Sequence, residues 1–468
     1  MNRLSQFVWL VAAICTFGAV ETFAADSTAK PNIIFILADD LGFADLSCQG
    51  HPTIKTPNID RIARDGLRFT QAYASSAVCS PTRVSLMTGR YPQRLRVGLE
   101  EPLASNATGL PADHPTLPSL LRKAGYFTAL IGKWHLGNPP DHGPLKSGYD
   151  YFLGFHGGEI DYFSRNSANL PALWENEKRI DEPGYLTDVL GQRAARLIAD
   201  RAKSNEPFFL SLHFNAPHWP WEGPDDQAEA ERIHKPGGSS LQHFDGGSLK
   251  TYSRMVEAMD RQVGLALKTL ADAALMTNTI VIFTSDNGGD RFSNMWPFTG
   301  KKLELLEGGL RVPALISWPA KIPAGKTSDQ VAITMDWLPT LLAAAGAAPD
   351  SAYPSDGANL LPVITGVARP SPRTLFWRFK ANSQAAIRSD NLKVLRIQDN
   401  GFLFDVVEDP MERANLLQRQ PERFRQLGKL WLDWNATMLA YPQDSYSHTF
   451  TASQLPDRYA PSSAIPKR

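Results

Sequence analysis

The residues best suited to chemistry in this sequence begin with the run CSPTR, Cys79 to Arg83. Proline is favoured in the first turn of a helix, so Pro81 predicts a helix start there and places Cys79 just before it. Unpartnered backbone amides and the positive end of the helix dipole favour an anion at such a position. The alternative interpretation is an ordinary capped helix with Arg83 on its surface. It explains the helix but not the alternate placing of Cys, Pro and Arg.

A second group of residues carries oxygen ligands and directly follows apolar runs of the chain. Asp39 and Asp40 follow one run, and Asp286 and Asn287 follow another. Carboxylate and amide oxygens, without histidine or thiolate, favour Ca²⁺ or Mg²⁺ over Zn²⁺. Taken alone, an Asp-Asp pair is more often a turn or a helix cap, and Asn-Gly-Gly is a common turn. Together the two pairs predict a site for one divalent cation.

The elements that must position these residues alternate between helices and apolar strands. Polar runs follow several of the strands, including GKWHLG with Lys133 and His135, and NAPH ending at His218. Thr56 is the expected N-cap of the first helix. Strands are predicted at residues 32–38, 67–72, 126–131, 208–214 and 279–285, and helices at 56–66, 117–124, 186–203 and 252–274.

This alternation predicts an α/β fold, with a mostly parallel central sheet and helices on both faces. In such sheets ligands bind outside the carboxyl ends of the strands. The polar runs, although spread from Asp39 to Asn287, are therefore expected at one edge of the sheet.

The run CSPTR, with Leu86, Thr88, Gly89 and Arg90 behind it, resembles the signature of the formylglycine-dependent (type I) sulfatases. These are arylsulfatase-like members of the alkaline phosphatase superfamily. The resemblance covers residues 32–417 and rests on six motifs in the family's order. It implies hydrolysis of sulfate esters, and a maturation enzyme that oxidises Cys79 to formylglycine (3-oxoalanine).

The resemblance also implies a role for each matching residue. The cation would be Ca²⁺ rather than Mg²⁺, and its ligands would be Asp39, Asp40, Asp286, Asn287 and the formylglycine made from Cys79. Arg83 would position the hydrate of the aldehyde. The remaining roles would be sulfate contact by Lys133, proton removal from the hydrate by His135, sulfate binding and protonation of the leaving oxygen by His218, and sulfate binding by Lys302.

Lys302 stands beside Lys301, and twin lysines are usually an exposed surface pair. The family's lysine lies five positions before the glutamate of Glu-Gly-Gly. Counting back from Glu307 selects Lys302 rather than Lys301.

The sequence further predicts a division into residues 1–24 as a signal peptide, 26–348 as the catalytic domain, 349–441 as a C-terminal subdomain and 442–468 as an extended tail. Residues 7–20 form an apolar stretch too short to span a membrane, and Thr22-Phe23-Ala24 suits a signal peptidase. We expect export to the periplasm or the medium, without a lipid anchor.

In the C-terminal subdomain, short strands are predicted at 374–378, 384–387, 392–397 and 402–406, with a helix at 421–435. Together they predict a small antiparallel sheet and helix.

The composition argues against some classes of binding partner. The chain has 468 residues, with 48 Lys+Arg and 48 Asp+Glu, so its net charge does not suggest nucleic acid or an anionic membrane as a partner. Outside the predicted signal peptide the cysteines are Cys48 and Cys79. A disulfide between them is the simple alternative, but a large core does not need it, and we expect Cys48 to be a lone buried residue.

Substrate identity is the least determined property. Trp219 and Trp221, with insertions at 149–183 and 222–247, could stack on sugar rings, or could equally be packing residues. The expected substrate is a sulfated carbohydrate, such as the galactan carrageenan. Two alternatives remain: a phosphate or phosphonate ester hydrolase of the same superfamily, and a catalytically silent glycan-binding protein.

Overall fold

The computed structural model describes residues 29–104, 107–167, 172–235, 240–448 and 452–459. The predicted signal peptide lies outside these residues. Within them, no helix combines the length and apolar character needed to cross a bilayer. The strands are β1 (Asn32–Ala38), β2 (Leu67–Phe69), β3 (Ala72–Tyr73), β4 (Phe127–Lys133), β5 (Tyr151–Phe155), β6 (Leu173–Glu175), β7 (Lys178–Ile180), β8 (Phe208–His213), β9 (Thr279–Ser285), β10 (Ala314–Ser317), β11 (Lys326–Ser328), β12 (Ala332–Ile333), β13 (Thr374–Phe379), β14 (Gln384–Ser389), β15 (Leu392–Ile397) and β16 (Asn400–Asp405).

The helices connect these strands and cover the sheets that they form. They are α1 (Pro57–Arg64), α2 (Cys79–Thr88), α3 (Leu117–Lys123), α4 (Leu186–Arg201), α5 (Gln227–His234), α6 (Leu249–Asp272), α7 (Glu307–Leu310), α8 (Trp337–Ala344), α9 (Leu361–Ile364), α10 (Pro421–Asn435) and α11 (Leu455–Tyr459).

The large sheet has the strand order β11-β2-β10-β9-β1-β8-β4-β5-β6-β7. Its centre, from β9 to β5, is parallel, and β10 and the β6–β7 hairpin pair antiparallel at its two sides. Leu37 is in register with both Thr284 and His213, and His213 with Gly132. The neighbouring strands β9, β1, β8 and β4 therefore have their carboxyl ends at the same level. This brings the polar runs to one edge of the sheet.

Both faces of this sheet are covered, because successive β1 residues point to opposite sides. Ile34 packs in a cluster with α1, α4 and α6. Ile33 packs in a second cluster with α2, α3 and α8. The predicted α/β fold with helices on both faces is confirmed. The predicted strands at 32–38 and 279–285 coincide with β1 and β9.

Thr56 occupies the predicted N-cap position of α1, directly before Pro57, but its side chain makes no capping hydrogen bond. Asp260 of α6 accepts the backbone N–H groups of Asn58 and Ile59 instead. Helix α2 begins at Cys79, two residues before Pro81, so Cys79 is the first residue of the helix rather than the one before it.

The predicted small antiparallel sheet is present as β13-β14-β15-β16, with α10 packed on β14 and β15. The domain limits at residues 348 and 441 stay predictions. Gln384 of β14 accepts the N–H of Leu305 and donates to the carbonyl of Leu303. The small sheet therefore holds the backbone on the C-terminal side of Lys302.

A buried charge cluster reinforces this junction. Lys393 of β15 lies 2.9 Å from a carboxylate oxygen of Glu307 and 2.9 Å from one of Glu412, and all three side chains are buried. Glu412 also accepts the N–H of Glu307 at 2.7 Å. Lys393 is therefore shared by two carboxylates from different parts of the chain, and Glu307 is also paired with Arg311 at 2.8 Å.

We expect Lys393→Met to lower the free energy of unfolding by about 3–5 kcal/mol, because two buried carboxylates lose their shared partner. Lys326→Met in β11 is the matched control, since Lys326 is exposed and such a change costs about 0.5 kcal/mol or less. Urea unfolding of the two variants measures both values. Equal destabilisation would contradict the assigned importance of the cluster.

Candidate active site

The four predicted oxygen ligands meet at the carboxyl ends of β1 and β9, and all are buried. The N–H of Asp40 donates to Oδ1 of Asp286 at 3.2 Å. Nδ2 of Asn287 donates to Oδ1 of Asp40 at 2.7 Å. Asp40 has a φ of 61°, a left-handed conformation that Asp tolerates better than most residues. The sequence prediction that these residues share one place is thus reproduced in the geometry.

Three basic side chains compensate the three carboxylates. Lys133 Nζ lies 2.5 Å from Oδ2 of Asp39, and Lys302 Nζ lies 2.7 Å from Oδ2 of Asp40. Arg83 donates through Nε and Nη2 to Oδ2 of Asp286, at 3.1 and 2.9 Å. Each carboxylate therefore has at least one cationic partner, since Arg83 also lies 3.8 Å from Oδ1 of Asp39, and both predicted lysines reach the site.

Burial makes the ionised forms of Asp39 and Asp40 less favourable. Burial, followed by the nearby Asp286, raises the pKa of Asp39 to about 8. Burial also raises the pKa of Asp40. At Asp286 burial acts upward, but the charges of Arg83 and Lys133 outweigh it, so the pKa of Asp286 is lowered. A divalent cation among these groups would favour their ionised forms.

The side chains that could hold a cation fit this requirement. Asp39 Oδ1 and Asn287 Oδ1 are buried and receive no hydrogen bond from the residues that the structure describes. Atoms of Asp39, Asp40 and His218 lie within 4.8 Å of one another. Hard oxygen donors dominate the set, as Ca²⁺ or Mg²⁺ requires. His218 was not among the ligands predicted from the sequence.

Cys79 lies beside this cluster at the start of α2, with 3% of its surface exposed. Cys48 and Cys79 are both free, so the structure does not pair them. Cys48 is only partly buried, less than predicted. Burial raises the pKa of the Cys79 thiol, against the opposing charges of Lys133 and Lys302. The thiol is thus poorly suited to act as a thiolate nucleophile.

His135 faces the cysteine. Its Nε2 lies 3.3 Å from the carbonyl oxygen of Leu103, which can only accept, so the proton resides on Nε2. Nδ1, 3.3 Å from Sγ of Cys79, then offers a lone pair toward that residue. Burial, followed by the charge of Lys133, lowers the pKa of His135 well below its usual value. His135 is therefore a neutral imidazole with its basic nitrogen directed at position 79.

A close backbone approach fixes His135. Its φ is 57°, and a Cβ on Gly158 would lie 2.7 Å from the imidazole Cε1. Gly132, at the start of the same run, has a φ of 117°, and a Cβ there would lie 1.8 Å from the His213 carbonyl oxygen. Gly132, the first glycine of GKWHLG, is thus required for β4 to lie against β8.

His218 has the opposite tautomer to His135. Its Nδ1 donates to the carbonyl oxygen of Trp219 at 2.7 Å. Nε2 faces Oδ2 of Asp40 at 3.6 Å. Burial, followed by the charges of Lys302 and Lys133, lowers the pKa of His218 well below its usual value. The hydroxyl of Tyr162 donates to the carbonyl oxygens of Asn215 and His218 and fixes the turn.

A cavity of about 530 Å³ opens over Cys79, His135, His218 and Lys302. Trp219 lines it, as the sequence prediction requires. Trp221 does not: it is 1% exposed and packs against Phe292, with ring centroids 5.1 Å apart. The structure therefore brings one of the two tryptophans to the site and places the other in the core.

The tail contributes residues to this cavity that no sequence pattern indicated. Tyr446, His448 and Asp457 line it. Asp457 accepts a hydrogen bond from Nε of Arg291 at 3.2 Å, and Arg291 lies over the ring of Phe244. Asp290 and Arg291 follow the Asp286-Asn287 pair after two glycines, so their position beyond β9 was the one available signal for this wall.

Comparison with known proteins accounts for this arrangement. The model of a family described as Sulfatase matches residues 31–347, more than half of the chain. This chain belongs to the sulfatase family. The model of a second family, described as N-sulphoglucosamine sulphohydrolase, C-terminal, matches residues 296–429 of the sulfatase.

Curated relatives agree. Over 366 residues the sulfatase is 35% identical to human N-acetylgalactosamine-6-sulfatase, covering 73% of this chain and 67% of the relative. Over 445 residues it is 32% identical to human arylsulfatase A, covering 83% of each. The protein is a sulfuric ester hydrolase.

Solved structures extend the likeness to the whole fold. The complex of Ps i-CgsB with k-i-k-neocarrahexaose superposes with a TM-score of 0.79 and 33% identity, covering 90% of the sulfatase and 95% of that chain. Phosphonate monoester hydrolase of Agrobacterium radiobacter has a TM-score of 0.64 and 22% identity, covering 87% and 96%, and shares the fold. The predicted alkaline phosphatase-like architecture is confirmed.

Proposed function

We propose that this sulfatase cleaves sulfate esters of a carbohydrate through a formylglycine made from Cys79 and one divalent cation, Ca²⁺ in preference to Mg²⁺. The observation that carries the proposal is the placing of Cys79 between the basic nitrogen of His135 and the buried carboxylates. When present, the hydrated aldehyde supplies an oxygen nucleophile, and the cation neutralises sulfate charge.

The residues of the chain perform the other tasks. Lys133 and Lys302 place two positive charges beside position 79, where sulfate oxygens would gain negative charge. Asp39, Asp40, Asp286 and Asn287 would hold the cation, and Arg83 fixes Asp286. His135 Nδ1 can accept a proton at position 79.

His218 lines the cavity and would bind sulfate and donate the proton that the departing alcohol needs. Peptide mass spectrometry across residue 79 of the active enzyme tests the modification directly. An unmodified thiol in fully active protein would refute it.

A sulfated carbohydrate is the substrate class that the relatives favour. Human N-acetylgalactosamine-6-sulfatase is named for a sulfated sugar, and Ps i-CgsB binds a neocarrahexaose. The 530 Å³ cavity with Trp219 on its wall is large enough for sugar rings. We propose a carrageenan-type galactan, tested by sulfate release from defined carrageenan and glycosaminoglycan oligosaccharides. Faster release from every glycosaminoglycan would move the assignment to that class.

The phosphonate hydrolase alternative rests on the shared fold alone. Faster turnover of phosphonate esters than of sulfate esters would favour it.

We further propose that the enzyme is exported with removal of residues 1–24, after a maturation enzyme has acted on Cys79. N-terminal sequencing of the protein from the periplasm and the medium tests the export.

Chelation gives a prediction for the cation. Incubation with a calcium chelator, followed by its removal, is expected to lower kcat about 100-fold or more, because several kcal/mol of charge stabilisation are lost. Added Ca²⁺ should restore the rate more fully than Mg²⁺. Metal analysis of the untreated enzyme is the control. Full activity of a metal-free preparation would contradict the proposed site.

A further inference from the structure

Glu101 is a buried carboxylate that the proposed reaction does not use. It is 1% exposed and lies in segment 100–104, between α2 and α3. Its Oε2 accepts the backbone N–H of Lys380 at 2.8 Å and the hydroxyl of Ser447 at 3.2 Å, and its Oε1 accepts the hydroxyl of Tyr441. Two of these three donors belong to the 439–448 stretch, which follows α10. The carboxylate therefore fastens segment 100–104 to that stretch.

The backbones of the two pieces also pair at this point. The N–H of Glu101 donates to the carbonyl oxygen of Tyr446 at 3.0 Å, and the N–H of His448 donates to the carbonyl oxygen of Glu101 at 2.6 Å. The pairing is a single β-bridge, between Glu101 and Ser447. Isolated pairs of short strands are marginally stable in water. The hydrogen bonds of the Glu101 side chain are therefore a substantial part of what holds the bridge closed.

The other end of segment 100–104 reaches the catalytic groups. The N–H of Leu103 donates to Oγ of Ser80 at 2.6 Å, and Ser80 follows Cys79 in the first turn of α2. The carbonyl oxygen of Leu103 is the acceptor for Nε2 of His135. Pro102 joins Leu103 to Glu101, and its ring fixes the backbone angle φ. A displacement of Glu101 is therefore passed on to the Leu103 carbonyl.

The hydrogen bond from His135 to this carbonyl is sensitive to such a displacement. The partner of one ring nitrogen decides which nitrogen of a neutral histidine carries the proton. Nε2 and the Leu103 oxygen are 3.3 Å apart, already at the long end for an N–H···O bond. If the carbonyl withdraws further, the proton is no longer confined to Nε2. In part of the molecules Nδ1 then carries it and has no lone pair to offer position 79.

We propose that Glu101 is a positioning residue for the reaction: by holding segment 100–104 against the 439–448 stretch, it keeps the Leu103 carbonyl on His135 and the lone pair of His135 on Nδ1. The inference rests on the proposed function, in which His135 accepts a proton at position 79. Pro102 and Leu103 are among the described residues that line the cavity, whereas Glu101 is not. Its effect is therefore exerted through His135 and not by contact with the substrate.

The kinetic test compares Glu101→Ala with Glu101→Gln. Burial raises the pKa of Glu101 to about 7, so a neutral carboxyl is populated near pH 7 and a neutral amide of the same shape should be tolerated. We expect Glu101→Ala to lower kcat on a small aryl sulfate about 10- to 100-fold, the range typical when an outer hydrogen-bond partner that orients a histidine is lost. KM should change less than about twofold, and Glu101→Gln should keep kcat within about threefold of the wild type.

The tautomer of His135 is the readout that a purely structural role would not move. In protein labelled with ¹⁵N-histidine, the chemical shifts of the two ring nitrogens show which one carries the proton, and His135→Gln assigns the signals. We expect the proton on Nε2 in the wild type and in Glu101→Gln, and shifts averaged between the two tautomers in Glu101→Ala. This measurement needs no turnover. A changed tautomer in an enzyme without formylglycine would keep the positioning role and remove the proposed function.

Asp260→Asn is the control for general destabilisation, because Asp260 caps α1 through Asn58 and Ile59. It should lower the free energy of unfolding and leave kcat within about twofold and the His135 signals in place. Wild-type kcat and signals in Glu101→Ala would overturn the proposal, and so would equal losses in Asp260→Asn. If Glu101→Ala does not fold, Tyr441→Phe removes one of the three donors to the carboxylate, with an expected three- to tenfold loss of kcat. Wild-type kcat and signals in that folded variant would be equally decisive against the proposal.

Discussion

Cys79→Ser is expected to lower kcat at least about 10⁴-fold, as loss of a catalytic nucleophile does in other hydrolases. Serine has a hydroxyl that could attack sulfur, but the carbon that bears it has no second hydroxyl. The hydrate of an aldehyde has two, and removal of a proton from the second allows sulfate to leave. We therefore expect the serine variant either to retain one sulfate per chain or to remain inert, and intact-protein mass spectrometry distinguishes these states.

Cys48→Ser is the matched control for this experiment. Cys48 is the other free cysteine among the described residues, and it lies near Asp60, away from the cavity. Its replacement should change kcat less than about twofold, in line with ordinary substitutions outside a site. Multiple turnovers by Cys79→Ser at the wild-type rate would exclude the aldehyde mechanism, whatever the control shows.

Lys302→Ala is expected to lower kcat/KM about 10²- to 10³-fold, the usual effect of removing a group that stabilises transition-state charge. Nζ of Lys302 lies 2.7 Å from Oδ2 of Asp40 and lines the cavity over Cys79. Its pKa is raised, because the opposing charge of Asp40 outweighs burial, so it remains protonated at any ordinary pH.

Lys301→Ala removes the same charge one residue earlier. Nζ of Lys301 donates to the backbone carbonyl of Asp457 in the tail rather than to a carboxylate of the site. We expect a loss of kcat/KM of less than about threefold, since the buried hydrogen bond that Lys301 makes is to the backbone of the tail. Steady-state kinetics on a small aryl sulfate measures both variants. A larger loss for Lys301→Ala would reverse the assignment of the sulfate-binding lysine.

Much of the site could be predicted because each polar run directly follows a strand. The apolar run at β1 is buried on both faces, so its length fixes where Asp39 and Asp40 emerge. The same argument places Asp286 and Asn287 after β9. Parallel topology then brings both pairs to one edge, without any knowledge of side-chain contacts.

The failures involve contacts between residues far apart in sequence. Asp260 caps α1 from about two hundred positions away, which no local pattern around Thr56 reveals. Trp219 and Trp221 are of one type and two residues apart, yet one lines the cavity and the other is buried. Their difference depends on where Phe292 packs, which the sequence around the two tryptophans does not encode.

The contacts made by Gln384, Lys393 and Glu412 imply that the N-terminal part of this enzyme would not keep its active site intact without the small antiparallel sheet. A polypeptide ending near residue 348 would retain every predicted cation ligand, the cysteine and both histidines. It would lose the side chains that hold Leu303, Leu305 and Glu307, on the C-terminal side of Lys302. Such a fragment could fold its large sheet and still present a misplaced lysine, so shortened versions are poor starting points for engineering, and the small sheet must be carried along with any transplanted active site.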